Sequence, residues 1–145
     1  MTGTYVSSTN RRPALRGVLA SLATLVGLAC LAASGLHAGV VVDLGSARIA
    51  ETPVLAAAVV EGGIGIAMIA VAGAVFTRRP WAWTAAVASY LFGIGGFAVG
   101  ILALVRSPDL RTGFNVAVHA GVLPLLILGL AVTLTAAGRE ALSVR

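Results

Sequence analysis

Charge is what this sequence has least of. Only 10% of its 145 residues are charged, and none of them is lysine. A soluble domain of ordinary composition carries about 25% charged residues. So little polar side chain cannot cover a water-facing surface. The absence of lysine excludes a P-loop, and HExxH, CxxC and GxSxG are also absent. Glycines 93, 95, 96 and 100 do not match GxGxxG, and they lie in an apolar run rather than after a strand. A single cysteine, Cys30, excludes an intramolecular disulfide and a cysteine metal cluster. No soluble-type catalytic site is expected, and the chain reads as a non-enzyme.

What the sequence has instead is long runs without charge. They cover 17–42, 80–105 and 112–138, and a fourth, 52–77, contains Glu61 as its one ionised-type side chain. A helix of about 20 residues crosses the roughly 30 Å hydrocarbon core of a bilayer. Four near-equal runs of this length predict an all-α fold, an integral membrane four-helix bundle with four transmembrane helices. The expected helices are about 14–40, 53–76, 80–105 and 114–137. Residues 1–13 are expected as a disordered cytoplasmic tail and 138–145 as a short cytoplasmic tail, flanking a single domain over 14–137. The first run exceeds the 7–15 apolar residues of a signal peptide, so it is read as an uncleaved helix.

Orientation comes from the ten arginines. With the N-terminus cytoplasmic, Arg11, Arg12, Arg16, Arg78, Arg79, Arg139 and Arg145 lie inside, and Arg48, Arg106 and Arg111 outside. The positive-inside rule then places both termini in the cytoplasm. The net charge of +5 reflects this bias rather than nucleic-acid binding. Arginine without lysine, among abundant Ala, Gly and Val, suggests GC-rich coding DNA. The expected location is therefore the plasma (inner) membrane of a bacterium. The bilayer is the expected partner, together with a second copy or another membrane protein.

Glycine spacing suggests where helices meet. Gly35 and Gly39 form one GxxxG pair, and Gly96 and Gly100 another. The short link 77–80 makes helices 2 and 3 antiparallel neighbours. Their contact is expected to be lined by Gly63 or Gly65 on one side and Gly93, Gly96 or Gly100 on the other. Pro53 is expected in the first turn of helix 2. Pro124 lies inside helix 4, where it removes a backbone hydrogen bond and crowds the carbonyl of Ala120.

The polar side chains within the runs are His37, Glu61, Tyr90, Asn115 and His119. An ionisable group in such a span is costly and usually faces the bundle interior with a partner. Counted from the outer ends of their runs, His37, Glu61 and His119 lie about 8, 14 and 11 Å deep at 1.5 Å per residue. Asn115 shares a helix face with His119, and Tyr90 lies deeper. Glu61 is expected to bond one of the two histidines, directly or through water. The alternative partner is a carbonyl such as that of Ala120, freed by Pro124. As a group, these five are candidates for ligand binding or proton relay.

His37, Glu61 and His119 are also candidate ligands for a divalent transition metal, and two facing histidines can ligate a haem. No cofactor is strongly implied. The first functional reading is a small non-enzymatic accessory or interaction subunit. The alternatives are a small transporter or ligand- or metal-binding protein using the His/Glu set, and a haem-binding electron carrier. Four short helices with one embedded glutamate resemble the layout of the small multidrug-resistance transporters. In that family the glutamate belongs to the first helix and here to the second, so the likeness is one of architecture.

Overall fold

The computed structural model describes residues 11–143, with the side chains of residues 11 and 12 excepted. The expected tail over residues 1–10 lies outside the described residues, as does the end of the chain from 144. Five helices follow in order: α1 (Arg11–His37), α2 (Leu55–Phe76), α3 (Ala82–Arg106), α4 (Gly113–Leu134) and α5 (Ala136–Leu142). The first four are long and apolar enough to cross a membrane. Large apolar side chains such as Leu25, Leu55, Ile66, Phe76 and Val99 point outward and are exposed.

Helix ends differ from the expected ones for local reasons. α1 begins at Arg11 rather than Ala14, with Pro13 in its first turn, where the missing N–H costs nothing. It stops at His37 rather than Val40. Gly39 takes a φ of +93°, and the N–H groups of Gly39 and Val40 turn back to the carbonyls of Leu36 and Gly35. This is a Schellman closure, which needs a left-handed residue. Gly39 therefore ends α1 instead of packing it, and the space beside Gly35 meets only Val40.

The loop that follows holds a two-residue hairpin, β1 (Val42–Asp43) paired antiparallel with β2 (Arg48–Ile49). Gly45 makes its turn at a φ of +78°, with its N–H bonded to Asp43. α2 starts at Leu55, two residues later than expected. The Val54 N–H is committed to the His37 carbonyl at 2.9 Å, which leaves Pro53 in the linking segment.

α2 closes by the same device as α1, but with Arg78 in the left-handed position, at a φ of 54°. The N–H groups of Arg78 and Arg79 return to Val75 and Ala74. The reversal into α3 is short, and the two helices are antiparallel neighbours.

α4 runs through Pro124 and ends at Leu134 rather than Ala137. Thr135 breaks it, and its hydroxyl accepts the Gly138 N–H at 3.0 Å to cap α5. A Cβ at Gly138 would collide with the Val132 carbonyl, so the fold-back depends on glycine. The C-terminal stretch is accordingly not a loose tail: α5 buries Ala141 and Leu142, and Arg16 Nε donates to the Ala141 carbonyl at 2.9 Å.

The closest helix pair is α1 with α2. A stripe of small residues on α1, including Ala20, Ala23, Gly27 and Cys30, is buried, and Gly27 in it meets Gly65 of α2. A Cβ at Gly65 would stand 3.0 Å from the Gly27 carbonyl oxygen, and one at Gly27 3.1 Å from the Gly65 oxygen. Backbone touches backbone here, as small residues allow. Ser34 adds a 2.7 Å hydrogen bond to the Ala58 carbonyl.

The expected glycine-lined contact between α2 and α3 forms in part, with Gly63 beside α3 and Gly93 and Gly96 beside α2, but not through backbone contact. Gly65 faces α1, and Gly63 meets only the Phe92 ring. Gly93 and Gly96 receive side chains: Leu126 and Ile64 at Gly93, Val60 and Ile64 at Gly96. Gly100 receives the ring of His119. α3 thus meets its neighbours by side chain into glycine notch. This keeps α2 and α3 further apart than backbone contact would.

Candidate functional site

At one end of the bundle, α2 and α3 part around a hollow of about 550 Å³. Its walls are apolar, with Val60 and Ile64 from α2, Phe92, Phe97 and Val99 from α3, and glycines 95, 96 and 100. Val60, Phe92 and Val99 are exposed, so the hollow opens sideways between the two helices. His37, Glu61, Asn115 and His119 also line it, and all four are buried.

The core of the polar set is a buried pair. His37 Nδ1 lies 2.7 Å from Glu61 Oε2, with His37 1% and Glu61 5% exposed. His37 is the last residue of α1, and its carbonyl is held by Val54 just before α2. Glu61 lies two turns into α2. The link that returns the chain from α1 to α2 therefore also brings the two side chains together. The carbonyl of Ala120 is not the partner of Glu61. The other histidine nitrogen, Nε2 of His37, is buried with no hydrogen-bond partner among the described residues.

Asn115 and His119 come from the first two turns of α4. Thr112 caps this helix, its hydroxyl accepting the Asn115 N–H at 3.1 Å while donating to Glu51 Oε2 at 2.7 Å. Asn115 Nδ2 donates to the Leu110 carbonyl at 3.0 Å, and its Oδ1 is buried without a partner among the described residues. His119 Nδ1 is 2.9 Å from the Asn115 carbonyl one turn earlier. A carbonyl only accepts, so Nδ1 carries the hydrogen. The ring tilts against Phe97, with centroids 5.0 Å apart and planes at 57°, and its tip fills the notch at Gly100.

Tyr90 is not part of this set. Its ring is buried over Gly129 of α4, away from the hollow. Its hydroxyl and that of Thr133 are buried without partners among the described residues, and Trp83 Nε1 donates to the Thr133 carbonyl at 3.1 Å.

The candidate metal triad of His37, Glu61 and His119 does not assemble. No group of three or more His, Cys, Asp or Glu side chains able to hold a metal ion occurs among the described residues. Glu61 is taken by His37, and His119 is turned onto its own helix backbone and into Gly100. Ligation of a haem by both histidines needs two free Nε2 atoms facing a gap as wide as the iron. His119 Nε2 instead abuts Gly100.

Sequence reasoning missed two kinds of contributor. Phe97 and Gly95 line the hollow, yet an apolar residue and a glycine in a glycine-rich helix carry no signal of their own. Gly27 was detectable as one member of the small-residue stripe Ala20, Ala23, Gly27, Cys30 at helical spacing.

Comparison with protein-family models, with curated proteins and with solved structures finds no match.

Proposed function

We propose that this chain is a multi-pass integral membrane protein that binds an amphipathic small molecule in the hollow between α2 and α3. The observation that carries the reading is the hollow itself. Its volume is in the ordinary range for small-molecule sites, roughly 300–1,000 Å³. Apolar walls end on a few converging polar groups, which is how such sites set orientation. A purely structural accessory role calls for neither the hollow nor the buried polar atoms left without partners.

The proposed orientation has both termini in the cytoplasm of a bacterial cell. The Arg16–Ala141, Trp83–Thr133 and Arg139–Trp83 contacts gather the start of α1, the start of α3 and the chain's end at one pole. Six of the ten arginines, Arg11, Arg12, Arg16, Arg78, Arg79 and Arg139, belong to the described segments at this pole. That bias supports its assignment to the cytoplasmic side. The hollow then lies in the outer half of the bilayer with its side opening toward lipid, so an amphipathic ligand enters from the membrane. A C-terminal fusion to a reporter active only in the cytoplasm tests the orientation. Inserted but inactive fusions would reverse it.

The binding reading is tested by photolabelling with a diazirine-bearing octanol in proteoliposomes. Adducts should concentrate on the hollow, around Val60, Glu61 and Phe97. A Cβ at Gly95 meets nothing within 4 Å, so Gly95→Phe starts from open space at the mouth of the hollow. That variant should lose the concentrated adducts and keep the background on lipid-facing residues such as Leu25. Uniform labelling, unchanged by Gly95→Phe, refutes the site.

A further inference from the structure

We infer that the ligand of this hollow is an uncharged lipid with a hydroxyl head, and that a vicinal diol is the head it fits best. The inference rests on the binding site proposed above and names its ligand class.

The head follows from which polar atoms lack partners and what each of them is. Asn115 is buried and lines the hollow. Its amide is oriented by donation from Nδ2 to the Leu110 carbonyl, so the unpartnered Oδ1 is an acceptor. His37 also lines the hollow, and its unpartnered atom is Nε2. The charge of the His37–Glu61 pair decides whether Nε2 donates or accepts. Glu61 is the one acid lining the hollow, and no lysine or arginine lines it. A net charge on the pair is costly in such a setting, so the pair shares one proton and is neutral overall. Two arrangements satisfy this. With the proton on the ring, His37 is an imidazolium and Nε2 carries a hydrogen. With the proton on Glu61 Oε2, Nδ1 accepts it, and the ring's own hydrogen lies on Nε2. Nε2 is therefore an N–H donor in both. Glu61 Oε1 has no hydrogen bond among the described residues, and it accepts in both, as a carboxylate oxygen or as the carbonyl of the acid.

His119 adds nothing to this count. Its Nδ1 is spent on the Asn115 carbonyl, and its Nε2 is set into the Gly100 notch. The polar end thus offers one donor, His37 Nε2–H, and two acceptors, Asn115 Oδ1 and Glu61 Oε1. Head groups separate on that pattern. An ammonium has no acceptor for Nε2–H and adds an uncompensated charge. A carboxylate has no donor for either oxygen and also adds a charge. An ether accepts from Nε2–H and leaves both oxygens bare. A hydroxyl accepts and donates, so it satisfies Nε2–H and one oxygen. Two neighbouring hydroxyls satisfy all three atoms. Buried polar groups left unpaired are costly, so this matching selects among lipids that share the same chain. The apolar walls and the side opening take the chain, and an alkyl or acyl glycerol carries the diol.

The test uses the full-length protein in proteoliposomes labelled with the diazirine octanol. The vicinal diol of octane, octanol, methyl heptyl ether and octylamine compete unlabelled, each corrected for its measured partition into the lipid. The diol should displace the label at a concentration about twofold to tenfold below that of octanol, and octanol likewise below the ether, with one hydrogen bond per step. Octylamine should be weaker than octanol. Asn115→Ala removes one of the two acceptors. In that variant the diol should lose its advantage over octanol, while octanol keeps its advantage over the ether. Label still concentrated on the hollow shows that the variant is folded; if it does not fold, the order of the competitors on the wild-type protein decides alone. Equal potency of diol, octanol and ether would mean that water satisfies these atoms. That result, octylamine ahead of octanol, or a diol advantage that survives Asn115→Ala overturns the hydroxyl head and leaves the binding site standing. Absence of concentrated labelling in the wild-type protein overturns both.

Discussion

Adding one methyl at Gly65 should weaken the bundle more than adding one anywhere else on α2. The new Cβ would lie 2.7 Å from Leu31 Cγ and 3.0 Å from the Gly27 carbonyl oxygen. Leu31 is partly exposed and can rotate away. The carbonyl cannot, because it belongs to the backbone of α1. Ordinary contact begins near 3.4 Å, so α1 and α2 must part by about 0.4 Å along their closest approach. Overpacking of this kind costs about 1–3 kcal/mol. In lipid no hydrophobic force pulls the helices back together, so lost packing is not recovered by burial.

Gly73→Ala is the control, since a Cβ there meets nothing within 4 Å. It reports the gain in helix propensity, up to about 1 kcal/mol. SDS titration in mixed micelles, followed by circular dichroism, should place Gly65→Ala about 1–3 kcal/mol below Gly73→Ala. Adding Gly27→Ala should cost less than its own single effect, because the helices have already parted. If Gly65→Ala and Gly73→Ala agree within about 0.5 kcal/mol, the backbone contact does not hold α1 to α2.

The same titration should register His37→Ala as a loss of about 3–5 kcal/mol, the range for a buried pair deprived of one partner; a neutral result would mean that the pair adds nothing to folding. Arg78→Gly should gain about 1 kcal/mol by relieving a left-handed φ that glycine adopts freely, and a loss would show that the arginine side chain matters more than its backbone. Arg16→Ala should free α5, seen as roughly tenfold faster hydrogen exchange over Ala136–Leu142 for a lost charged hydrogen bond of about 1.5 kcal/mol; unchanged exchange would assign the docking to Ala141 and Leu142 alone. In 15N spectra of the imidazoles, His119 should show hydrogen on Nδ1 in both wild type and Glu61→Gln, while the signals of His37 move. Movement of both would place His119 in contact with the pair.

Several features were legible because they depend on neighbours in sequence. Run length fixed the number of long apolar helices, since each helix needs a set number of residues to cover its length. The short link 77–80 forced α2 and α3 to be antiparallel. Other local rules were present but read at the wrong level. Gly35 and Gly39 match a packing motif, yet Gly39 ends the helix because its backbone enters the left-handed region. Thr135 and Gly138 match a cap and a fold-back, yet spacing alone assigns Thr135 to α4 and Gly138 to the tail. In both cases glycine serves two purposes, close packing and positive φ, and spacing alone does not separate them.

By itself, then, the sequence determined an all-α chain of four long apolar helices, and it singled out Glu61 as the one carboxylate within them. Depth along each run also put His37, Glu61 and His119 at similar levels. Only the tertiary structure decided which of these meet. A helix with apolar residues on all sides carries little record of which way it is rotated, because its outward face is as apolar as its inward one. Rotation is settled by packing: backbone contact at Gly27 and Gly65 sets α1 against α2 and brings His37 to Glu61. His119 is drawn instead to its own helix backbone and the notch at Gly100. The hollow has the same origin, since it is the space left where α3 meets its neighbours through side chains rather than backbone.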